Sequence, residues 1–197
     1  MADAGRVIAG TARSIRLEAP GPGTRPFGDR VKQTLFAVLE PDLPGSRFLD
    51  LFAGSGAGGI EALSRGAAHV TFVEQDAGAA RVIVANLART HLGGPQRVRV
   101  VREDALAWLR HRAREGDPAW DLVLLDPPYS EPAALAAALA AVGPLVAPLG
   151  RVVAKHFWRE APPTRVGLLA SERERRFGDT VLTFYRRTEA VGTTEGA

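Results

Sequence analysis

The stretch RFLDLFAGSG, residues 47–56, has the pattern of a buried strand that runs into a glycine-rich turn. Residues 47–51 form a short apolar run with one acid, and two glycines follow shortly after it. A helical stretch over 59–65 comes next, and Gly66 is placed to end it as its C′ residue. A strand, a glycine turn and a helix in this order predict an α/β fold with a parallel sheet.

The same alternation recurs along the chain. Further strands are predicted at residues 69–74, 98–102, 122–126 and 150–155, and helices at residues 76–90, 104–115 and 132–141. Two more strands, 168–177 and 179–187, are joined by a tight turn at Gly178 and predict an antiparallel hairpin that closes the sheet. The predicted fold class is α/β: a Rossmann-like, mostly parallel seven-stranded sheet with helices on both faces.

The first 44 residues have a different pattern. Alternating polar and apolar residues at 6–10 and 14–18 predict a small β-hairpin, and a helix with one apolar face begins at Asp29. We therefore predict an N-terminal hairpin-and-helix extension over 1–44, a main domain over 45–187 and a disordered tail over 188–197.

Composition excludes several classes of function. The 197 residues suffice for one domain with a full core, and 46% of them are hydrophobic. The absence of cysteine excludes disulfides, thiolate metal sites and thiol catalysis. The four histidines show no metal-ligand spacing, so no metal is expected. No apolar run approaches the ~20 residues of a membrane span, and the first residues do not follow the signal-peptide pattern; a cytoplasmic location is predicted.

Arginine dominates the positive charge. The chain has 25 Lys and Arg residues, and only Lys32 and Lys155 are lysines, while the formal net charge is +3. Arginine binds phosphate with two parallel hydrogen bonds and stacks on bases, so the bias is compatible with nucleic-acid binding. A GC-rich genome produces the same bias, and the composition does not separate these two causes.

The glycine loop, residues 52–56, is predicted to hold a nucleoside cofactor. Gly54 and Gly56 let a ligand approach the backbone, and the next helix offers free N–H groups at its start. Together with Gly59 they also fit the spacing G-x-G-x-x-G of dinucleotide-binding proteins. Glu74, which ends the second strand, is placed to bind ribose hydroxyls. A plain tight turn is the alternative for the glycines.

Two further carboxylates favour S-adenosylmethionine over a dinucleotide. Asp50 would repel a pyrophosphate but attract an amino group and a sulfonium. Asp104 follows the third strand and is placed to accept a hydrogen bond from the adenine amine; it can also cap the next helix, and the two roles can coexist. The predicted cofactor-binding residues are Asp50, Phe52, Ala53, Gly54, Ser55, Gly56, Glu74, Gln75, Asp104, Ala105 and Asp126.

The motif Asp126-Pro127-Pro128-Tyr129 follows a buried strand and predicts the catalytic site. Two consecutive prolines cannot extend a sheet, and their carbonyls remain free to accept hydrogen bonds. The Asp126 carboxylate and the Pro127 carbonyl suit the two N–H groups of a flat aromatic amine, and the Tyr129 ring can stack on its face. A strand-ending turn with a buried tyrosine is the alternative. With the glycine loop upstream, the motif predicts methyl transfer to an exocyclic amine.

Three groups of cations are predicted to contact RNA. Arg25, Arg30 and Lys32 precede the glycine loop and are placed to cover the cofactor or contact phosphates, with a solvated helix face as the alternative. Lys155 and His156 follow the fifth strand beside two aromatic residues that could stack a flipped base. Arg176 belongs to a basic cluster in the terminal hairpin, where ordinary surface ion pairs are the alternative.

These motifs together resemble the 16S ribosomal RNA guanine-N2 methyltransferase family of RsmD type, a class I methyltransferase family. The resemblance runs from about residue 5 to residue 187. It is carried by the following segments: Arg6–Gly10, Thr24–Pro26, Asp29–Val31, Leu35-Phe36, Asp50–Gly56, Gly59–Ala67, Phe72–Glu74, Asp126–Tyr129 and Phe177–Thr180. It implies methyl transfer from S-adenosylmethionine to the N2 amine of one guanine of 16S rRNA, in an assembled or partly assembled small subunit.

The sequence departs from the pattern of that family at three places. Phe27-Gly28 stands where Thr or Ser usually follows the Arg-Pro pair, Ala37 stands where Asn is common, and Lys155-His156 stands where the fifth strand often ends with Glu. The cofactor and amine motifs are intact.

Other functions fit parts of the same pattern. An adenine-N6 DNA methyltransferase or a protein-glutamine methyltransferase would use the same amine site, although no appended DNA-recognition domain is visible. A nicotinamide-dependent dehydrogenase would use the glycine spacing and give the Asp-Pro-Pro-Tyr turn no role. A ribosome-assembly factor would keep the fold only to hold RNA.

Overall fold

A computed structural model of the protein describes residues 3–21, 27–116 and 120–188. An N-terminal unit contains strand β1 (Asp3–Arg6), strand β2 (Arg16–Glu18) and helix α1 (Asp29–Leu39), followed by a short 3-10 turn (Glu40–Asp42). The two strands pair antiparallel in a sheet of their own. The first strand lies earlier than the predicted 6–10 and shares only Arg6 with it, and the second is shorter than the predicted 14–18, because residues 7–15 form the connection between them.

The main domain alternates strands and helices as the sequence pattern predicts. Its elements are β3 (Arg47–Leu51), α2 (Ala57–Ser64), β4 (His69–Val73), α3 (Ala77–Thr90), β5 (Val98–Val101), α4 (Ala105–Glu115), β6 (Trp120–Leu125), α5 (Pro132–Val142), a 3-10 turn (Gly143–Leu145), β7 (Val146–Phe157), β8 (Arg165–Val166), β9 (Leu169–Phe177) and β10 (Thr180–Arg187). Two helices are capped by a local side chain: Asp76 and Asp104 accept hydrogen bonds from Ala79 N and Ala107 N at the starts of α3 and α4.

The main strands form one sheet in the order β5-β4-β3-β6-β7-β10-β9-β8. The first five strands of this order are parallel, and the last three are added antiparallel. The predicted count of seven strands is wrong by one, because the two-residue strand β8 pairs with β9. The strand order reverses between β3 and β6, because β4 and β5 follow β3 toward one edge of the sheet, whereas β6 and β7 lie toward the other edge. Open α/β sheets bind ligands at such a point.

Two hydrophobic clusters cover the two faces of the sheet. One contains α1, α2 and α3 side chains with Phe48 and Phe72, and it also contains Ala4, Val7 and Leu17 of the N-terminal unit. The other joins α4 and α5 to the sheet, and Trp108 and Trp120 are buried in it as predicted. Because the N-terminal unit shares the first cluster, it packs as part of the domain and not as a separate body.

Buried polar contacts hold the N-terminal unit on helix α2. Glu61, which is fully buried, accepts hydrogen bonds from Ile8 N at 2.7 Å and Ala9 N at 3.0 Å. Within the N-terminal unit, Lys32 Nζ donates to the Arg6 carbonyl at 2.5 Å and so joins α1 to β1. A Cβ added at Gly10 would lie 1.8 Å from the Ser64 carbonyl oxygen, so only glycine allows this approach.

Candidate functional site

A cavity of about 520 Å³ opens at the carboxyl ends of β3, β4 and β6. This is the edge where the topology predicts a ligand site. The glycine loop lies on one side of the cavity and the Asp-Pro-Pro-Tyr motif on the other. The predicted cofactor and amine sites are therefore parts of one space.

The glycine loop owes its shape to three residues with positive φ. Phe52, Gly54 and Gly56 have φ values of 61°, 55° and 77°. Gly56 is the N-cap of α2, and an ideal Cβ there would lie 3.2 Å from Ile83 Cγ2. An ideal Cβ at Gly54 would meet nothing within 4 Å. Gly54 therefore leaves open space beside the cavity, whereas Gly56 serves the turn itself.

Glu74 holds the glycine loop in place from the end of β4. Its Oε2 accepts from Gly54 N at 2.8 Å, and its Oε1 accepts from Asp76 N at 2.8 Å. The side chain also lines the cavity. A carboxylate has about four acceptor positions, so these two bonds leave others for ligand hydroxyls.

Asp50 is the most strongly buried acid of the cavity, with 2% of its surface exposed. Its Oδ2 accepts a hydrogen bond from Gly59 N at 2.7 Å. The pKa of Asp50 is raised to about 8, chiefly by burial; the Gly59 hydrogen bond opposes this rise, and the negative charges of Asp126 and Glu74 contribute to it. A ligand with positive charge would favour the ionised form of this carboxyl.

The Asp-Pro-Pro-Tyr motif leaves β6 directly beside the end of β3. Asp126 N donates to the Leu51 carbonyl at 3.4 Å, which ends the pairing of the two strands. Pro127 is buried and Pro128 is exposed. The Tyr129 hydroxyl lies 2.8 Å from Thr180 Oγ1, a contact that fixes the far end of the ring.

The ammonium group of Lys155 forms an ion pair with the aspartate of this motif. Lys155 Nζ donates to both carboxylate oxygens of Asp126, at 2.6 and 2.8 Å. The same nitrogen lies 5.3 Å from the ring centroid of Phe27 and 5.4 Å from that of Tyr129. The side chains of Lys155 and Asp126 are 11% and 22% exposed, so the pair is largely removed from water.

Most of the predicted site residues line the cavity. The predicted catalytic residues that line it are Asp126, Pro127, Pro128 and Tyr129, and the predicted cofactor residues that line it are Asp50, Phe52, Ala53, Gly54, Ser55, Glu74, Gln75, Ala105 and Asp126. Gly56 and Asp104 are not among the lining residues. Gly56 shapes the turn, and Asp104 is exposed and bonds to its own helix, so a role in binding adenine stays a prediction for Asp104.

Sequence reasoning missed several lining residues. These are Phe27, Ala57, Gly58, Val73, Leu124 and Ser130. The sequence predicts that the region around Phe27 covers the cofactor, but it does not single out Phe27 itself as a lining residue. Gly58 had a readable signal, since it directly precedes the third glycine of the loop spacing.

Two of the predicted RNA contacts, Lys32 and His156, are buried and do not lie at the surface. Lys32 is fully buried and donates to the Arg6 carbonyl, and its burial lowers the pKa of its amine. His156 is 3% exposed, with its ring nitrogens 2.9 Å from Thr183 Oγ1 and the Phe157 carbonyl. Lys155 points at Asp126 inside the cavity and not at the surface. A β-strand alternates its faces, which explains why neighbouring Lys155 and His156 diverge.

Of the other predicted RNA contacts, two are exposed and one lies outside the described residues. Arg30 and Arg176 are exposed. Arg25 lies outside the described residues, as does the tail after Thr188. Thr188 itself is held to the Leu168 carbonyl by its amide and its hydroxyl, at 2.9 and 3.1 Å.

The charges of the cavity fit a cationic nucleoside better than a dinucleotide. Asp50, Glu74 and Asp126 line it, and Lys155 is the one Lys or Arg among the described residues that do so. A pyrophosphate would face this excess of carboxylates, whereas an ammonium and a sulfonium would be attracted. Across residues 3–21, 27–116 and 120–188, no group of three or more His, Asp or Glu is placed to hold a metal ion.

These features define the class of the protein, a Rossmann-like methyltransferase that uses S-adenosylmethionine. The chain belongs to the family described as "Conserved hypothetical protein 95", whose model matches residues 5–186. The methyltransferase fold and activity that the sequence predicts are confirmed by the relatives and the solved structure described next. No helix in the described ranges is both long and apolar enough to span a bilayer.

Relatives with curated names agree with this family. The "Putative rRNA methyltransferase YlbH" of Bacillus subtilis is 37% identical over 185 residues, which cover 92% of this chain and 98% of the relative. The "Ribosomal RNA small subunit methyltransferase D" of Escherichia coli is 42% identical over 125 residues, which cover 63% of this chain and 60% of the relative. The resemblance read from the sequence is therefore confirmed.

A solved structure agrees as well. The "Putative methyltransferase yhhF from Escherichia coli" superposes with a TM-score of 0.79 at 32% identity, covering 92% of this chain and 97% of that one. The match covers nearly the whole length of both chains, so it includes the N-terminal unit as well as the main domain.

Proposed function

We propose that this protein transfers a methyl group from S-adenosylmethionine to the exocyclic N2 amine of one guanine in 16S rRNA. The observation that carries the proposal is the shared cavity, in which a carboxylate-rich glycine loop faces the Asp-Pro-Pro-Tyr turn across about 520 Å³. The rRNA substrate is supported by the names of the two relatives. The N2 position rests on the resemblance of the motifs.

The residues of the cavity suit this chemistry. S-adenosylmethionine, when bound, supplies a methyl group on a sulfonium that departs as a neutral thioether. A guanine amine is a weak nucleophile, because its lone pair is delocalised into the ring. Hydrogen bonds from its two N–H groups to the Asp126 carboxylate and the Pro127 carbonyl would turn the lone pair toward the donor and stabilise the positive charge that develops on nitrogen.

The remaining residues would orient the two reactants. Tyr129, fixed by its contact with Thr180, offers a ring on which the base stacks. Asp50 and Glu74 would hold the charged and hydroxyl groups of the cofactor on the opposite side. After transfer, the nitrogen carries one proton in excess, and Asp126 is placed to pass it to solvent.

An aromatic and basic surface extends from this pocket toward the RNA. The ring centroids of Tyr129 and Phe157 are 6.1 Å apart, and those of Phe157 and Trp158 are again 6.1 Å apart. The guanidinium carbons of Arg159 and Arg176 lie 4.8 and 4.3 Å from the Trp158 ring centroid. We call Phe157, Trp158, Arg159 and Arg176 the aromatic–arginine surface. It would bind nucleotides that flank the target by stacking and by phosphate contacts.

We propose an assembled or partly assembled small subunit as the substrate, and a cytoplasmic location follows from that substrate. The extension over residues 1–44 is proposed to cover the cofactor, since its Phe27 lines the cavity. We propose the division into residues 1–44, 45–187 and a tail as a division by role and not into separate folding units, because the N-terminal unit shares its hydrophobic core with the main domain.

The test is replacement of Asp126. We expect Asp126→Ala and Asp126→Asn each to reduce methylation of 30S subunits by at least about 100-fold, the scale of losing one oriented charge stabiliser. Binding of the cofactor and of RNA should persist in Asp126→Asn, which keeps the shape of the side chain. An unchanged methylation rate in both variants would refute the mechanism.

The same assay separates the alternatives. Labelled cofactor is offered with 30S subunits from cells that lack the enzyme, with free DNA and with a release factor. Label in the subunits, mapped to a guanine amine, supports the proposal. Label only in DNA or only in the release factor would replace the substrate and keep the chemistry, whereas RNA binding with no label in any substrate would indicate an assembly factor.

A further inference from the structure

The ammonium group of Lys155 stands in the position that the proposed chemistry assigns to the target amine. It is a nitrogen with N–H donors, it bonds to both oxygens of Asp126 at 2.6 and 2.8 Å, and it lies over the Tyr129 ring. A stacked base with its amine on Asp126 would need the same carboxylate oxygens and the same face of Tyr129. The side chain therefore mimics the substrate within the substrate-free enzyme.

Charge argues that this ion pair does not persist during the reaction. Methyl transfer places positive charge on the amine nitrogen, which Asp126 must stabilise. An ammonium on the same carboxylate would repel that charge and weaken the acceptor. Lys155 must therefore leave Asp126 before the methyl group moves.

A displaced Lys155 needs a new acceptor, because its side chain is only 11% exposed. Leaving a nearly buried ammonium unpaired is strongly unfavourable. The rings of Phe27 and Tyr129 lie 5.3 and 5.4 Å from its nitrogen and offer cation–π contact, which is weaker than a charge-assisted hydrogen bond. The nucleotide that enters can supply this acceptor through a ring nitrogen, a carbonyl oxygen or a phosphate oxygen.

We propose that Lys155 is a specificity-determining residue. Its ammonium occupies the Asp126 carboxylate in the free enzyme and is displaced only by a base that also offers the ammonium a hydrogen-bond acceptor. This inference rests on the proposed amine chemistry and adds a selection step to it. An amine without an acceptor nearby would displace Lys155 only at a net cost in binding free energy, because the buried ammonium would be left without a hydrogen-bond partner.

Two substitutions of Lys155 give opposite expectations from a positioning role. Arginine would grip the carboxylate with two parallel hydrogen bonds and be harder to displace. Methionine keeps the unbranched apolar chain and removes the competing cation. If Lys155 merely oriented Asp126, Lys155→Arg would retain activity and Lys155→Met would lose it; displacement reverses that order.

The experiment measures kcat and KM on the amine substrate that the wild-type enzyme methylates in the panel above. We expect Lys155→Arg to lower kcat/KM by about tenfold or more, the scale of one strengthened charge-assisted hydrogen bond. Lys155→Met should retain a higher kcat/KM than Lys155→Arg and should methylate non-cognate RNA faster relative to 30S subunits than the wild type does. The control is Arg114→Met, which removes an exposed cation from α4.

The resting ion pair is tested without activity. Lys32 and Lys155 are the only lysines in the sequence, so a protein labelled with 13C at the lysine Cε gives two signals. Loss of one signal in Lys155→Met assigns it, and we expect the same signal to shift in Asp126→Asn. No shift would overturn the proposal, as would a Lys155→Met enzyme that fails while Lys155→Arg works. A failure of wild-type turnover on subunits would instead count against the proposed rRNA substrate alone.

Discussion

At the scale of single residues, the buried carboxyl of Asp50 links binding to stability. The pKa of Asp50 is raised from its ordinary value of 3.8 to about 8, chiefly by burial. Between these two values the folded protein holds a proton that the unfolded chain releases. The stabilisation from this group is therefore fully present below pH 4 and is lost as the pH rises toward 8.

The first prediction concerns Asp50→Asn, which keeps an acceptor for Gly59 N and removes the titration. We expect the variant to unfold at a higher temperature than the wild type at pH 8, with the difference shrinking toward pH 4. One proton changes the free energy of unfolding by at most about 1.4 kcal/mol per pH unit. Thermal unfolding at several pH values measures it, and a difference that does not vary with pH would contradict the raised pKa.

The same variant should bind S-adenosylmethionine more weakly, because a cationic ligand favours the ionised Asp50. Wild-type affinity should rise between pH 6 and 8 as the carboxyl ionises, whereas the affinity of Asp50→Asn should stay flat. Calorimetric titration in this range gives both values. A stabilised variant with impaired binding is the expected result for a residue kept for function at a cost in stability.

At the scale of elements, two glycines of the same region carry different roles. An ideal Cβ at Gly59 would lie 2.3 Å from Phe72 Cε1, so glycine is needed there for α2 to pack on β4. At Gly54 the same construction meets nothing within 4 Å, and only the φ of 55° resists substitution. One glycine allows packing, and the other leaves room beside the ligand site.

We therefore expect Gly59→Ala to destabilise the fold by about 1–3 kcal/mol through overpacking, with cofactor affinity reduced only as far as folding fails. Gly54→Ala should cost about 1–2 kcal/mol for the left-handed backbone and reduce cofactor affinity in the protein that remains folded. Chemical denaturation and cofactor titration on both variants provide the comparison. Equal losses of affinity per folded molecule would contradict the division of roles.

This distinction also shows what the sequence can and cannot predict. The strands and helices of the repeated unit follow from hydrophobic period and turn residues, which act locally, and Asp76 and Asp104 cap their helices as their positions predict. Strand β8 was missed because two residues carry no period. The burial of Lys32 was missed because it depends on the Arg6 carbonyl, 26 positions away.

The site shows the same limit. Asp50 lies one residue before the end of β3, and Glu74 and Asp126 directly follow β4 and β6, so topology alone brings them to one edge. Lys155 was predicted to meet RNA because its strand ends at that edge, but its partner Asp126 is set by the pairing of β6 with β7. The position along a strand indicates the edge reached, whereas the contact made there depends on the neighbouring strand.

At the scale of the whole molecule, the proposed RNA path uses the free end of the antiparallel strands. Phe157 ends β7, and Arg176 lies near the end of β9, so the chain brings both to the cavity edge. A substrate that reaches Tyr129 would cross Trp158 and its two guanidinium groups. The aromatic–arginine surface therefore offers two kinds of contact, stacking and phosphate binding, that respond differently to salt.

The last prediction separates these contacts. Arg176→Gln should weaken binding to 30S subunits and reduce the slope of log affinity against log salt by about 0.7–0.9, the value for one phosphate contact. Trp158→Ala should weaken binding with little change in that slope, since it removes a stack rather than a charge. Arg114→Gln, on an exposed position of α4, is the control and should leave both quantities unchanged. Cofactor affinity should remain at the wild-type value in all three. If Arg176→Gln and Arg114→Gln weaken binding equally, the positive charge acts through the whole molecule, and the aromatic–arginine surface has no special role in guiding the RNA to Asp126.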